Sequence, residues 1–306
     1  MRKLFILLSI ALLFCAVSCN QTSDRKDKNE KYTAADSSTV PPSDNTAYTT
    51  YKTFIATLDT GDIQSIGKAT AQYKSLFKEG DSTINDTAFL LFDSLWDKVE
   101  LNAYRALPAD VDLTALVDIE TGPASISIPS HLQPLYQQIH TNGYRISSSE
   151  GMFTVIQNGD FLHEHFYPYL SRTMQIMLGQ LNQENKLGFA DDGAIIINPE
   201  EFTARLIWWE KFIEDFPTFS SLHVAKEKYK DYLTFYLLGM NNTPARYHDK
   251  EGLVAYFQKA YTELQTKYPN SKSNKLVHPY FEAFQKKDYT TVNRIIKEYR
   301  SQGLMM

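Results

Sequence analysis

Past residue 47 the chain reads as apolar stripes at helical spacing, separated by short breaks rich in Gly, Pro, Asn and Asp. Tyr51, Phe54, Ile55 and Leu58 form a first stripe, broken at Asp59-Thr60-Gly61. Ile66, Ala69, Tyr73, Leu76 and Phe77 form a second, ended by Gly80, and Phe89, Phe92, Leu95, Trp96, Val99 and Tyr104 a third. Positions three and four apart share one face of a helix, so three amphipathic helices are predicted between Tyr48 and Leu107, the third capped by Asn85 or Asp86.

Pro108 to Ser130 loses this period and predicts an irregular connection, with Ile126 and Ile128 alternating with serines as in a short strand. Leu132 to Ile139 predicts a brief helix stopped by Asn142-Gly143. Tyr144-Arg145-Ile146 and Met152 to Gln157 flank Ser149-Glu150-Gly151, the pattern of a β-hairpin, with Asn158-Gly159 as a turn behind it. From Asp160 the helical period returns through Leu162, Phe166, Tyr169, Leu170, Met177 and Leu181, and Pro168 predicts a kink inside that helix. After a break at Phe189 to Ile197, Asn198-Pro199-Glu200-Glu201 is a strong start: a capping Asn, Pro first, Glu third. The helix stops before Pro217, the next runs Ser221 to Leu238 with Gly239 as its stop, and further helices are expected over Asp249–Tyr268, Ser273–Phe284 and Thr290–Tyr299. The fold class expected is mainly α: packed helical hairpins with a small β-hairpin insert. Its blocks are 48–130 (N-terminal helical), 131–160 (hairpin insert) and 161–306 (C-terminal helical).

The amino terminus has a different pattern. Arg2-Lys3 precedes an apolar run from Leu4 to Val17, too short to span a bilayer, which needs about 20 apolar residues. Ala16-Val17-Ser18-Cys19 then resembles the lipobox of bacterial lipoproteins. The resemblance implies cleavage of residues 1–18 and diacylglycerol and palmitate-type acyl chains at Cys19, and the following Asn20 implies the outer membrane. Several acyl chains hold stably where one binds marginally. Residues 19–47 are polar, contain Pro41-Pro42, and bury too little to repay ordering, so they read as a tether.

Composition narrows the chemistry. Cys15 falls in the expected signal and Cys19 under lipid, leaving no thiol for a disulfide, nucleophile or thiolate metal site. The net charge is −5, or −7 without Arg2 and Lys3, which argues against nucleic acid as a partner. With 19 Tyr and 18 Phe the core is expected to be aromatic.

Two C-terminal segments look alike: Trp209 to Pro217 followed by Ser220-Ser221, and Tyr261 to Pro269 followed by Ser271 and Ser273. In each, a helix ends in aromatic-Pro and a Ser restarts the chain. This is similar to tetratricopeptide-like repeats of outer-membrane-assembly-type lipoproteins, which implies stacked helix pairs holding a protein partner or ligand on a concave face. The spacing departs from that family, with prolines 52 residues apart, so only the architecture carries over.

Catalytic signals are thin. The histidines of His163-Glu164-His165 lie two apart, off one helical face, and lack the zinc-protease spacing, so no metal or cofactor is expected. Asp191, Asp192 and Glu200 lack calcium-loop spacing, and a hydrolase would need them to converge on a cleft with a strongly shifted acid. The first expectation is a non-catalytic interaction or scaffolding lipoprotein at the cell envelope, marked by exposed aromatics on the C-terminal pairs. The alternative is a glycan- or small-solute-binding lipoprotein with Tyr144, Phe153 and Trp208 as ligand contacts; a hydrolase comes third.

Overall fold

The computed structural model describes residues 46–80, 83–121, 127–149, 152–247 and 251–306. The expected signal, Cys19 and nearly all of the expected tether lie outside the described residues, as do Ile126, Glu150, Gly151 and Asp249. The fold is mainly helical, built from packed helices with small two-stranded antiparallel sheets. Twelve α-helices are present among the described residues, and none is long and apolar enough to cross a membrane.

Helices α1 (Thr46–Ala56), α2 (Gln64–Leu76) and α3 (Thr83–Ala103) pack on one another through the three predicted stripes. Tyrosines join them: Tyr51 Oη donates to Ala69 O (3.2 Å) and Tyr73 Oη to Asn85 O (2.9 Å). Helix α3 carries Phe89, Phe92 and Trp96 onto Phe161 and Phe166, making one aromatic core under the insert.

The expected irregular connection holds a helix, α4 (Thr114–Thr121), which follows Asp112, whose carboxylate accepts from Thr114 N. Leu113 and Leu116 anchor it in the core, a short apolar pair that a search for longer periods passes over. Helix α5 (Gln133–His140) and the hairpin β1 (Tyr144–Ser149) and β2 (Met152–Gln157) follow as expected. Ile146 pairs with Val155 and Tyr144 with Gln157, so Tyr144, Ile146 and Val155 share the face turned to the core.

Pro168 separates two helices rather than kinking one. Asn158 is no turn residue; it caps α6 (Gly159–His165), and Tyr167–Tyr169 is a 3₁₀ turn. Ser171 then caps α7 (Arg172–Leu187), its Oγ accepting from Met174 N at 3.1 Å. Pro168 has no N–H to continue the helix, and Ser171 just beyond it is a good cap, so the chain restarts.

A two-residue hairpin, β3 (Ala190–Asp191) with β4 (Ala194–Ile195), leads into α8 (Pro199–Asp215), capped by Asn198 Oδ1 accepting from Glu201 N at 2.8 Å. Helix α9 (Leu222–Leu238) ends at Gly239, and β5 (Gly239–Met240) pairs with β6 (Thr243–Pro244). Helix α10 (Ala255–Lys267) begins later than Asp249, because Val254 closes a bridge region with Ala245 first. Helices α11 (Lys272–Gln285) and α12 (Tyr289–Ser301) complete the chain.

The last five helices stack as hairpins. Helix α8 lies against α9 and α10, α10 against α11, and α11 against α12. The two aromatic-Pro junctions share one backbone shape: Phe216 ends α8 at φ −125°, ψ 56° and Tyr268 ends α10 at φ −131°, ψ 51°.

Candidate functional site

The residues singled out for ligand contact lie on separate elements, Tyr144 and Phe153 on the hairpin and Trp208 on α8. Tyr144 is 0 % exposed; its Oη donates to Trp96 O at 3.0 Å, and burial pushes its phenol far above the ordinary range. It is a core strut between the hairpin and α3. Phe153, opposite Ser148, is half-buried on the same hairpin face. Trp208 is half-buried on α8, stacked on Phe212 (5.2 Å, 16°) and edge-on to the buried Trp209. The aromatic side chains of α8 to α12 are all buried or half-buried, so the exposed aromatic patch expected there is absent among the described residues. The exposed large apolar residues lie elsewhere, with Leu101, Tyr104 and Met152 among them.

The polar candidates are engaged locally. His165 Nδ1 accepts from Lys74 Nζ at 2.9 Å; burial and that charge hold the imidazole below its usual pKa, and its ring sits against Phe161. His163 packs on Tyr167. Among the described residues no group of three His, Cys, Asp or Glu is placed to hold a metal ion. Asp191 and Asp192 are exposed at the tight β3–β4 turn. Glu200 pairs with Lys259 Nζ at 2.7 Å, which lowers its carboxyl, the reverse of the shift a general acid needs.

The buried charge is elsewhere, on acids that share a face with core residues. Glu184 on α7 lies three residues past Leu181. It accepts from Trp209 Nε1 (2.8 Å), Gln180 Nε2 (2.9 Å) and Tyr232 Oη (2.8 Å), joining α7, α8 and α9. Arg205, 1 % exposed, donates through Nε to Glu201 (2.7 Å) and through a terminal nitrogen to Gly188 O (2.9 Å). Glu210 on α8 accepts from Lys272 N (2.7 Å), Ser273 N (2.7 Å) and Ser273 Oγ (2.5 Å) at the start of α11. Tyr229 Oη lies 3.0 Å from Ser273 Oγ, which brings α9 into the same chain of hydrogen bonds. Asp86 on α3 accepts from Ser171 N (2.9 Å) and Ser171 Oγ (2.6 Å) at the start of α7. Sequence reading missed these roles. A carboxylate on an apolar stripe was the available signal, since such a residue is rarely buried without partners.

One surface feature joins the C-terminal helices. A cleft of about 350 Å³ opens where α9 ends beside α11 and α12. Its walls bring Arg246, Tyr280, Asn293, Lys297 and Arg300 around an apolar floor that includes Leu238 and Ile296. Arg246 reaches Asn293 Oδ1 at 3.4 Å, and Arg300 Nε donates to Met306 O at 3.0 Å.

Fold and site together define a stack of helical hairpins whose buried acids fix helix to helix and whose C-terminal surface carries a basic cleft. Comparison with protein-family models, with curated proteins and with solved structures finds no match for this chain.

Proposed function

We propose that this protein is an outer-membrane lipoprotein, held by acyl chains on Cys19, whose folded part is a non-catalytic interaction or scaffolding module with tetratricopeptide-like helix pairs. The observation that carries the reading is the use made of buried acids. Asp86 and Glu210 each clamp the start of a helix from a distant part of the chain, and Glu184 joins three helices. Groups of this kind give a catalyst its chemistry when they face a cleft; here they give rigidity. A rigid stack of helix pairs is a surface for holding a partner, because little ordering remains to be done on binding.

Two experiments test the two halves of the proposal. For the module, a photoreactive amino acid is placed at exposed Lys211, Lys275 or Lys297 on α8, α11 and α12, with Lys52 on α1 as the contrast. Discrete adducts in intact cells are expected from the C-terminal positions. The absence of adducts from every position overturns the interaction reading. For the anchor, the intact mass of the membrane-extracted chain should equal residues 19–306 plus acyl chains, with Cys19→Ala unprocessed. An unmodified wild-type mass overturns it.

A further inference from the structure

The cleft at the end of α9 is anomalous in its charge. The chain carries −5 overall, yet Arg246, Lys297 and Arg300 meet here, and no Asp or Glu side chain lines the cleft among the described residues. Asn293, Ile296, Lys297 and Arg300 follow at steps of three and four, so one face of α12 presents them together. Glu298, the acid next to them, is drawn away to Arg294 at 3.1 Å. Lys297 has no hydrogen-bond or ion partner among the described residues. Three like charges gathered at one cleft repel one another, and the bonds of Arg246 to Asn293 and of Arg300 to Met306 O leave Lys297 without a partner among the described residues.

The floor adds a second requirement. Leu238 and Ile296 are half-buried apolar side chains at the bottom of the cation-rimmed hollow. A complement therefore carries negative charge beside an aliphatic group. We propose that this cleft binds a short acidic segment of a partner protein, a Glu or Asp carboxylate between Arg246, Lys297 and Arg300 and an aliphatic neighbour on the floor. The proposal rests on the reading of the chain as an interaction module. A hollow of about 350 Å³ fits protruding side chains, whereas a bilayer surface is broad and meets a flat or convex face. A nucleic-acid backbone would need a longer basic track than one cleft provides.

The full-length chain in detergent is titrated against a fluorescent peptide of alternating leucine and glutamate. Versions with glutamine or lysine in place of glutamate are the comparison. Saturable binding of the glutamate peptide alone is expected, weakening as salt screens the exposed pairs. Lys297→Ala with Arg300→Ala should weaken it about tenfold, as the loss of two rim ion pairs implies, while Lys52→Ala on α1 leaves it unchanged. An unchanged melting curve shows that the variants remain folded. Equal binding of the glutamine peptide, or no effect of the double variant, overturns the proposal. Binding to phosphatidylglycerol vesicles that the double variant abolishes and the glutamate peptide fails to compete assigns the cleft to lipid, which also overturns it. If the peptide fails while photo-adducts persist on α8 or α11, this inference falls and the module reading stands; if no adducts form anywhere, the reading itself falls.

Discussion

Glu210 gives the sharpest test of how this fold is held. Its carboxylate is 5 % exposed and takes three hydrogen bonds, two of them from main-chain N–H groups at the start of α11. In Glu210→Gln one carboxylate oxygen becomes an NH₂ group, which turns a donor toward a donor. At least one main-chain N–H then loses its acceptor in a buried place. A hydrogen bond to a charged group contributes about 1.5–3 kcal/mol, and an orphaned buried donor costs about 1–3 kcal/mol. The substitution should therefore destabilise the chain by about 2–4 kcal/mol. Ser273→Ala removes one of the three bonds and should cost about 1–2 kcal/mol. The double variant should lose less than the sum, with a coupling of about 1 kcal/mol, because both single changes break the same contact. The control is Glu214→Gln on the same helix, whose exposed pair with Lys272 (3.1 Å) should be worth under about 1 kcal/mol. Urea unfolding followed by far-ultraviolet circular dichroism measures all four. A Glu210→Gln variant within about 0.5 kcal/mol of wild type, or a coupling of zero, refutes the clamp.

Three more outcomes follow from local geometry. Asp231 is half-buried, and desolvation raises its carboxyl from 3.8 to about 6. The unfolded chain loses this proton first, so stability falls as pH rises from about 4 to about 6, by at most about 3 kcal/mol before solvent screening; Asp231→Asn should stabilise at about pH 7.5 and change nothing at about pH 3.5, and equal effects at both would exclude titration as the cause. Gly239 has φ +74°, and a Cβ there would lie 2.2 Å from Thr243 O, so Gly239→Ala should cost at least about 2 kcal/mol. Gly303→Ala, at φ +70° with open space around it, should cost about 1 kcal/mol; equal melting losses for the two would mean that backbone strain alone acts. Tyr144→Phe removes one buried hydrogen bond and should cost about 1 kcal/mol in calorimetry; since Tyr144 has no exposed surface, loss of surface binding without loss of stability would contradict its place in the core.

The helical framework was legible because its stripes are long and its punctuation is chemical. Asn198-Pro199-Glu200-Glu201 and the Gly239 stop each state a backbone requirement that few other residues meet. The hairpin was legible from alternation, and Ile146 opposite Val155 shows the reason: every second residue points into the core. Helix α4 was not, since Leu113 and Leu116 give too few positions to set a period. Asn85 and Asp86 were read as caps from residue type alone. Both are buried in the first turn of α3, Asn85 donating to Tyr169 O and Asp86 holding Ser171, 84 and 85 residues away. A local pattern cannot show a partner that distant. The same limit hid the basic cleft, whose walls come from four separate segments, although the Asn293–Ile296–Lys297–Arg300 face of α12 was open to inspection.

Asp86 and Glu210 solve one problem in the two ends of the molecule. Each sits on a core-facing stripe, and each accepts both the N–H and the Oγ–H of a serine in the first turn or cap of a later helix. The choice of a carboxylate follows from the helix: its first turn presents unpaired N–H groups and the positive end of its dipole, which an anion satisfies and an aliphatic side chain does not. An apolar contact in the same place could stabilise as much, but it would allow the helix to slide along its axis, whereas a carboxylate bonded to two identified donors admits one axial position. The clamp on α11 therefore fixes where α11 lies against α8, and with it the placement of Tyr280 in the wall of the basic cleft. The cleft is shaped before any partner arrives, and binding need not include the ordering of a helix. Loosening the clamp should consequently weaken peptide binding even though Glu210 lies outside the cleft, while loosening Asp86 at the other end of the chain should not; measuring both variants against the glutamate peptide separates a pre-formed surface from one that the partner itself must organise.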